Sequence, residues 1–250
     1  MRIAPLNPGL SRTLLEVANS LTEPDITLGL LTAKVVHVTC EDAELDEALE
    51  AIVSDRRNGL GPRAEEVRLA VRDMLRVGAY RPTGRGKPAS EYLLRSAASG
   101  EHGFPRINYV VDVCNYVSLK YLVPISLWDL DRAGTELYRF RRGLPAEEYV
   151  FNASGQAIRL EDLAVGCCRS DAEDRLGVPI VSPIKDCQAT KTDERSRRIM
   201  ASVYVPTSVV STATLKSICS EFARFIGRVS SSPSVSTEVC PPGEIRGLEG

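Results

Sequence analysis

The order of hydrophobic and polar positions predicts a helical first half and a strand-rich second half. Residues 26–38, ITLGLLTAKVVHV, combine β-branched and small residues in the manner of a mostly buried strand. Amphipathic helices are expected over residues 40–57 and from Pro62 to Val77, because apolar residues recur there at helical spacing and acidic residues stand near the helix starts. Gly78 is expected to end the second helix.

The second half consists of short β-rich runs between polar turns, from about residue 135 to 206. One further amphipathic helix is predicted from Leu215 to Ile226. Residues 228–250 are rich in Ser, Pro and Gly and are predicted to form a disordered tail. With residues 1–24 as a mixed lead-in, we expect an α+β domain over residues 25–227, with a mixed β-sheet or barrel-like core and flanking helices.

Composition narrows the class of protein. The chain has 250 residues, of which 43% are hydrophobic, and this size suits one globular domain. Its 31 basic and 33 acidic residues give a net charge of −2, so any nucleic-acid contact must come from a local patch. Seven cysteines without a CxxC pair, only two histidines and no long apolar run predict a soluble, cytoplasmic protein with no metal site, cofactor or membrane partner.

A basic, glycine-rich loop lies in the middle of the first half. It carries Arg81, Arg85 and Lys87 and leads to Ser90, which is a candidate N-cap for a short helix. Such a loop is either a solvated linker or a phosphate-binding surface, and composition alone favours the linker.

Residues 104–131 carry the most informative pattern. Apolar residues cover most of a helix surface, yet Asp112 and Asn115 lie within it, three residues apart and therefore on one face. Buried polar groups need partners or a pocket to line, so these two side chains either cap nearby backbone or hold a ligand. Pro124 ends the helix, and Ser126, followed by Trp128 and Asp129, lies on the exit segment.

Several ordered motifs in this region resemble one known family. The segment RINYVVDVCNYVSLKYLVPISLWDLDR is similar to the signature of the B3/B4 module of the phenylalanyl-tRNA synthetase beta subunit. SEYLLR, from residue 90, resembles an element of free-standing B3/B4 proteins, and residues 186–206 resemble the strand and turn that close the module. The core of the resemblance covers residues 90–206.

The resemblance implies a B3/B4 fold and a pocket that hydrolyses the ester of a mischarged aminoacyl-tRNA, without aminoacylation activity. It assigns Asn115 to the pocket asparagine, Cys114 to its small polar neighbour, and Asp186 to the position that reads the amino-acid side chain. Ser126 stands where the synthetase module has a histidine, so a hydroxyl replaces an imidazole there. Asp112 and Thr190 complete the expected substrate-binding set, and a surface turn is the alternative location for Asp186.

An aminoacyl ester is already activated, so its hydrolysis requires only an oriented water and support for the oxyanion. The absence of a G-x-S-x-G elbow agrees with this expectation. We therefore predict catalysis by Asn115 and Ser126, with the aminoacylated 3′ end of tRNA as the partner and no role for DNA. The tRNA body is expected to contact basic residues: Arg81, Arg85, Lys87, Arg139, Arg141, Arg142, Lys191, Arg195, Arg197 and Arg198.

Two other functions remain open on the sequence. One is a module that binds tRNA or an amino acid without catalysis, and the other is a structural domain that recruits a protein partner. The serine at position 126 favours the binding module, because the imidazole of the family is missing there.

Overall fold

The structure, a computed structural model, describes residues 14–99 and 104–250, with the side chains of residues 232–234 excepted. Its helices are α1 (Ala43–Arg57), α2 (Pro62–Leu75), α3 (Ala89–Ser99), α4 (Tyr109–Tyr121), α5 (Leu130–Ala133) and α6 (Thr212–Ile226). Its strands are β1 (Leu14–Asn19), β2 (Ile26–Val35), β3 (Ile125–Asp129), β4 (Leu137–Arg142), β5 (Glu148–Val150), β6 (Ala157–Arg159), β7 (Ala164–Cys168), β8 (Val178–Val181), β9 (Arg198–Pro206), β10 (Ser230–Cys240) and β11 (Ile245–Glu249).

The strands form two main sheets and a separate hairpin. The five-stranded sheet has the order β11-β1-β4-β7-β8, in which β1 and β4 are parallel and the other neighbours antiparallel. The four-stranded sheet is antiparallel in the order β10-β2-β9-β3, and β5 pairs with β6. The fold is therefore α+β with mixed sheets, as predicted. The sheets do not close into a barrel, so the mixed β-sheet core is the one of the two predicted forms that is observed.

Aromatic side chains join the two sheets in the core. Trp128 of β3 packs against Tyr138 of β4 at 5.6 Å between ring centroids, and Phe140 of β4 packs against Tyr204 of β9 at 5.9 Å. All four side chains are buried. Since each pair takes one residue from each sheet, these contacts hold the sheets face to face.

Strand β2 is buried along almost its whole length because helix α6 covers one of its faces. Gly29 makes this close approach possible. A Cβ at this position would lie 2.6 Å from the Cys219 sulfur and 2.7 Å from a Leu215 methyl carbon of α6. The strand therefore requires glycine here for packing.

Gly29→Ala is expected to lower the free energy of unfolding by about 1–3 kcal/mol, because the added methyl group forces α6 away from β2. Gly61→Ala is the matched control, since nothing lies within 4 Å of a Cβ at Gly61. Urea denaturation of both variants measures the difference. Equal stability of the two variants would contradict the packing assigned to Gly29.

The segment after α6 is ordered, so the prediction of a disordered tail over residues 228–250 is wrong. β10 pairs with β2, and β11 pairs with β1. The side chain of Asn19 donates to the carbonyls of Ile26 and Cys240, which connects the lead-in to both β2 and the tail. The domain therefore extends beyond residues 25–227 on both sides, whereas residues 1–13 lie outside the described residues.

Most of the predicted helices and strands are present in the structure, and Ser90 is an exception. The two early helices, the short strands and α6 lie where the pattern predicts them. Ser90 is not an N-cap: α3 begins at Ala89, and the buried Ser90 lies in its first turn. Among the described residues, no helix combines the length and apolar character needed to cross a bilayer.

Candidate functional site

Asp112 stabilises the start of α4. Its carboxylate accepts a hydrogen bond from the Ile107 amide at 2.9 Å and one from Arg106 Nε at 2.8 Å. The neighbouring Asn108 is the N-cap, and its side chain accepts from the Val111 amide. Both carboxylate oxygens of Asp112 are therefore used at the helix terminus, where a negative charge also suits the helix dipole.

A small cavity of about 260 Å³ lies further along α4. Helix α4 contributes one wall, α3 a second, and β3 together with the turn after β8 a third. The lining residues are Ala89, Tyr92, Leu93, Cys114, Asn115, Ser118, Ile125, Ile184 and Lys185. The structure thus brings Cys114 and Asn115 to one cavity, while Asp112 lies outside its lining.

Asn115 offers the cavity a free amide group. Among residues 14–99 and 104–250, its side chain has no hydrogen-bond partner, although it is partly buried on α4. The nearby Ser118 differs, because its hydroxyl donates to the Val123 carbonyl at 2.7 Å. An amide carries two donors and an acceptor, so Asn115 is equipped to orient a carbonyl, a hydroxyl or a water.

Cys114 brings an apolar surface to the cavity. Burial raises the pKa of its thiol well above the ordinary value, and the nearby carboxylate of Asp186 acts in the same direction. A thiol is nucleophilic only as the thiolate. Cys114 therefore remains protonated at neutral pH and contributes packing.

Ser126 lies away from the cavity. It is fully buried, and its hydroxyl makes hydrogen bonds with the Ser182 carbonyl at 3.1 Å and the Tyr204 hydroxyl at 3.0 Å. Its neighbour Ile125 lines the cavity, and side chains alternate between the two faces of a strand. The structure therefore does not bring Ser126 together with Asn115.

Asp186 and Thr190 are also outside the cavity lining. The partly buried Asp186 accepts hydrogen bonds from the backbone amides of Leu127 and Ser182. Thr190 is 4% exposed, and its hydroxyl has no partner within the described part of the chain.

A larger groove of about 760 Å³ adjoins the cavity, and the two share Tyr92 and Lys185. Its lining interleaves aromatic and basic side chains: Tyr80, Arg85, Gly86, Tyr92, Phe151, Gln156, Ala157, Ile158, Arg159 and Lys185. Lys185 Nζ lies 3.9 Å from the centre of the Phe151 ring. Aromatic faces next to cations are the features that bind unpaired nucleotides, because bases stack and phosphates pair with the charges.

The charge of the groove is positive. Burial, followed by the positive charges of Arg85 and Lys191, lowers the pKa of Lys185. Lys185, at the boundary between cavity and groove, therefore lies near two other positive charges, and an anion bound beside it would relieve their repulsion.

The basic residues expected to bind RNA divide into separate groups. Arg85 alone of the expected set lines the groove. Arg141 is buried in an ion pair with Glu147. Arg139 donates to the Ser20 hydroxyl, and Lys191 Nζ donates to the Phe151 carbonyl. Arg81 is exposed and donates to backbone carbonyls, whereas Lys87 and Arg195 lie outside the groove lining.

The structure adds residues that the sequence did not indicate. Tyr92, Phe151, Arg159 and Lys185 come from α3, the β5–β6 hairpin and the turn after β8. Each is unremarkable in its local sequence, because an aromatic or basic residue in a turn is usually only solvated. The alternation of aromatic and basic side chains arises only in the folded chain, where these three segments lie next to one another.

Comparison with known proteins gives one family. A family model described as the B3/4 domain matches residues 84–232, which is more than half of the chain. The match begins just before α3 and includes all three walls of the cavity and the groove hairpin. No curated protein matches the chain at a significant level. Within the part that the structure describes, no three His, Cys, Asp or Glu side chains converge as metal ligands.

Proposed function

The chain belongs to the B3/4 domain family, a family of tRNA-binding modules, and on this premise we propose that it is a trans-editing deacylase. Its substrate is the aminoacylated 3′ end of a mischarged tRNA. The single observation that carries the proposal is the Asn115 amide, which has no partner among the described residues, in a small cavity that opens beside an aromatic and basic groove.

The two compartments suit the two parts of such a substrate. The esterified amino acid occupies the cavity, where Cys114, Leu93, Ile125 and Ile184 provide apolar contacts. The unpaired 3′ nucleotides occupy the groove, where Phe151 and the tyrosines stack with bases and the basic side chains pair with phosphates. The ester bond then lies at the shared boundary.

Asn115 orients the reaction in this proposal. Its amide holds the ester carbonyl or the attacking water, and the positive charge of Lys185 stabilises the oxyanion that develops. Water attacks the carbonyl carbon, the bond to the ribose oxygen breaks, and the proton of the water passes to that oxygen. The products are the free amino acid and uncharged tRNA.

Incubation of the protein with a panel of mischarged tRNAs tests this function. Loss of the ester above the spontaneous rate supports the deacylase. Salt-dependent tRNA binding without ester loss would instead establish a non-catalytic binding module. One observation favours that second function: the residues that line the cavity include no histidine and no carboxylate to act as a general base.

Lys185→Ala is expected to weaken tRNA binding and to reduce the dependence of log Kd on log salt by about one unit, as for the loss of one phosphate contact. Arg63→Ala is the control, because this exposed arginine pairs with Glu66 beside Val209, outside the groove lining. Filter binding over a salt series measures both variants. An unchanged slope for Lys185→Ala would exclude Lys185 as a phosphate contact and leave it only the role at the oxyanion.

A further inference from the structure

The cavity lies where the edges of the two main sheets meet. β3 is the last strand of the four-stranded sheet, and β8 is the last strand of the five-stranded sheet. Ile125 of β3 lines the cavity, as do Ile184 and Lys185 of the turn that follows β8. The shape of this cavity wall therefore depends on how the two edges are held together.

Asp186 connects these edges with its carboxylate. One oxygen accepts the Leu127 amide of β3 at 3.1 Å, and the other accepts the Ser182 amide just after β8 at 3.3 Å. The strands at the edges of a sheet have backbone amides with no strand partner, and such groups need another acceptor when they are buried. A single carboxylate supplies it on both sides of the junction.

The turn that carries the cavity wall has further polar contacts. The Ser182 hydroxyl donates to the Lys185 carbonyl at 2.9 Å, and the Tyr149 hydroxyl donates to the same carbonyl at 2.5 Å. These bonds hold the turn itself in shape. Two other contacts attach the turn to β3. The Asp186 carboxylate accepts the Leu127 amide, and the Ser126 hydroxyl donates to the Ser182 carbonyl.

We infer that Asp186 is a positioning residue, which holds the turn carrying Ile184 and Lys185 against β3 and thereby sets the width of the cavity. Its two backbone hydrogen bonds are strongest with the ionised carboxylate, because protonation turns one oxygen into a hydroxyl, which is a weaker acceptor. Protonation therefore weakens one side of the junction. The assignment differs from direct reading of a substrate side chain, in which the carboxylate must face the cavity.

The ionisation of Asp186 falls in an accessible pH range. Burial raises the pKa of Asp186 to about 6, and the Ser126 hydroxyl, the two amide hydrogen bonds and the charge of Lys191 oppose this rise. The groups that face it are Cys114 of α4, Tyr149 of β5, Tyr204 of β9 and Lys191. Burial keeps the thiol and both phenols protonated across the range, so Asp186 changes charge while they do not.

The pH dependence of folding stability also distinguishes a positioning role of Asp186 from a stabilising one. Because the pKa in the folded state is above the ordinary 3.8, the folded state takes up the proton first as the pH falls. Ionisation of Asp186 therefore costs stability above pH 6, and this cost is relieved between about pH 6 and 4. The protein thus retains an ionised carboxylate that organises the junction although its charge does not favour folding.

The direct test follows the two amides by nuclear magnetic resonance. We expect the amide protons of Leu127 and Ser182 to shift together between pH 8 and 5 with a midpoint near 6, and to lose this transition in Asp186→Asn. Asp174→Asn is the matched control, because Asp174 also accepts backbone amides in a turn, from Leu176 and Gly177, but outside the cavity lining. That variant keeps the transition.

The consequence for ligand binding rests on the proposed function. An adenosine that carries an amide-linked amino acid at its 3′ position serves as a stable probe, and its affinity is expected to fall below pH 6 in the wild type and at every pH in Asp186→Asn. If Asp186→Asn does not fold, the wild-type titration alone decides. Absence of the wild-type amide transition, or its persistence in Asp186→Asn, overturns the inference. An amide transition without probe binding at any pH counts against the proposed function alone.

Discussion

Replacing Asn115 with alanine is expected to reduce the hydrolysis of mischarged aminoacyl-tRNA by roughly 100- to 1000-fold, the range found when one oriented donor is removed from a transition state. The Asn115 amide is unpartnered in the cavity, so the variant breaks no internal hydrogen bond of the described residues. The loss should therefore appear in the rate constant while the stability of the fold is nearly unchanged. Single-turnover deacylation measures the rate, and urea denaturation measures the stability.

Asn58→Ala is the control for the same chemical change. The Asn58 side chain is exposed at the end of α1 and donates to the Ser54 carbonyl, away from the cavity. It should leave deacylation unaffected. If Asn115→Ala retains full activity, Asn115 does not orient the ester. If it loses activity and stability together, its role is packing.

Leu248→Ala is expected to lower the free energy of unfolding by about 2–5 kcal/mol, the cost of removing a leucine side chain from a core. Leu248 is 2% exposed on β11, the strand that pairs with β1. Ile245→Ala tests the same strand on its solvent face, because Ile245 is 57% exposed. That second variant should stay within about 0.5 kcal/mol of the wild type.

The comparison of these two variants by urea denaturation is a direct test of the tail. A disordered tail makes both substitutions neutral, because neither side chain would then be packed. A paired strand makes only Leu248→Ala costly, since side chains alternate between the faces of a strand. Equal and small effects would therefore contradict the pairing of β11 with β1.

Some residues of the candidate site could be predicted from the sequence, and others could not. Asn115 and Cys114 were identified from a local motif on one helix, and local motifs retain their spacing in the folded chain. Ser126 was expected beside Asn115 because both lie in the same motif. Strand β3 directs Ser126 into the core between the sheets and Ile125 to the cavity, so proximity in sequence did not become proximity in space.

The sequence by itself determined the elements that depend on short-range pattern: α1, α2, α4 and α6, the short strands, the α+β class and the B3/4 family. It could not show that β10 and β11 are strands. Both are sheet edges, which tolerate serine and proline, and their partners β2 and β1 lie some two hundred residues earlier in the chain.

The tertiary structure alone decided which side chains meet. It brought Tyr92, Phe151 and Lys185 from three separate segments into one groove beside Asn115, and it buried Arg141 in an ion pair with Glu147. It also placed the Asp186 carboxylate between two sheet edges. Hydrophobic periodicity reports the local conformation and the buried face of each element, whereas these contacts depend on how distant elements pack, and no local pattern encodes that packing.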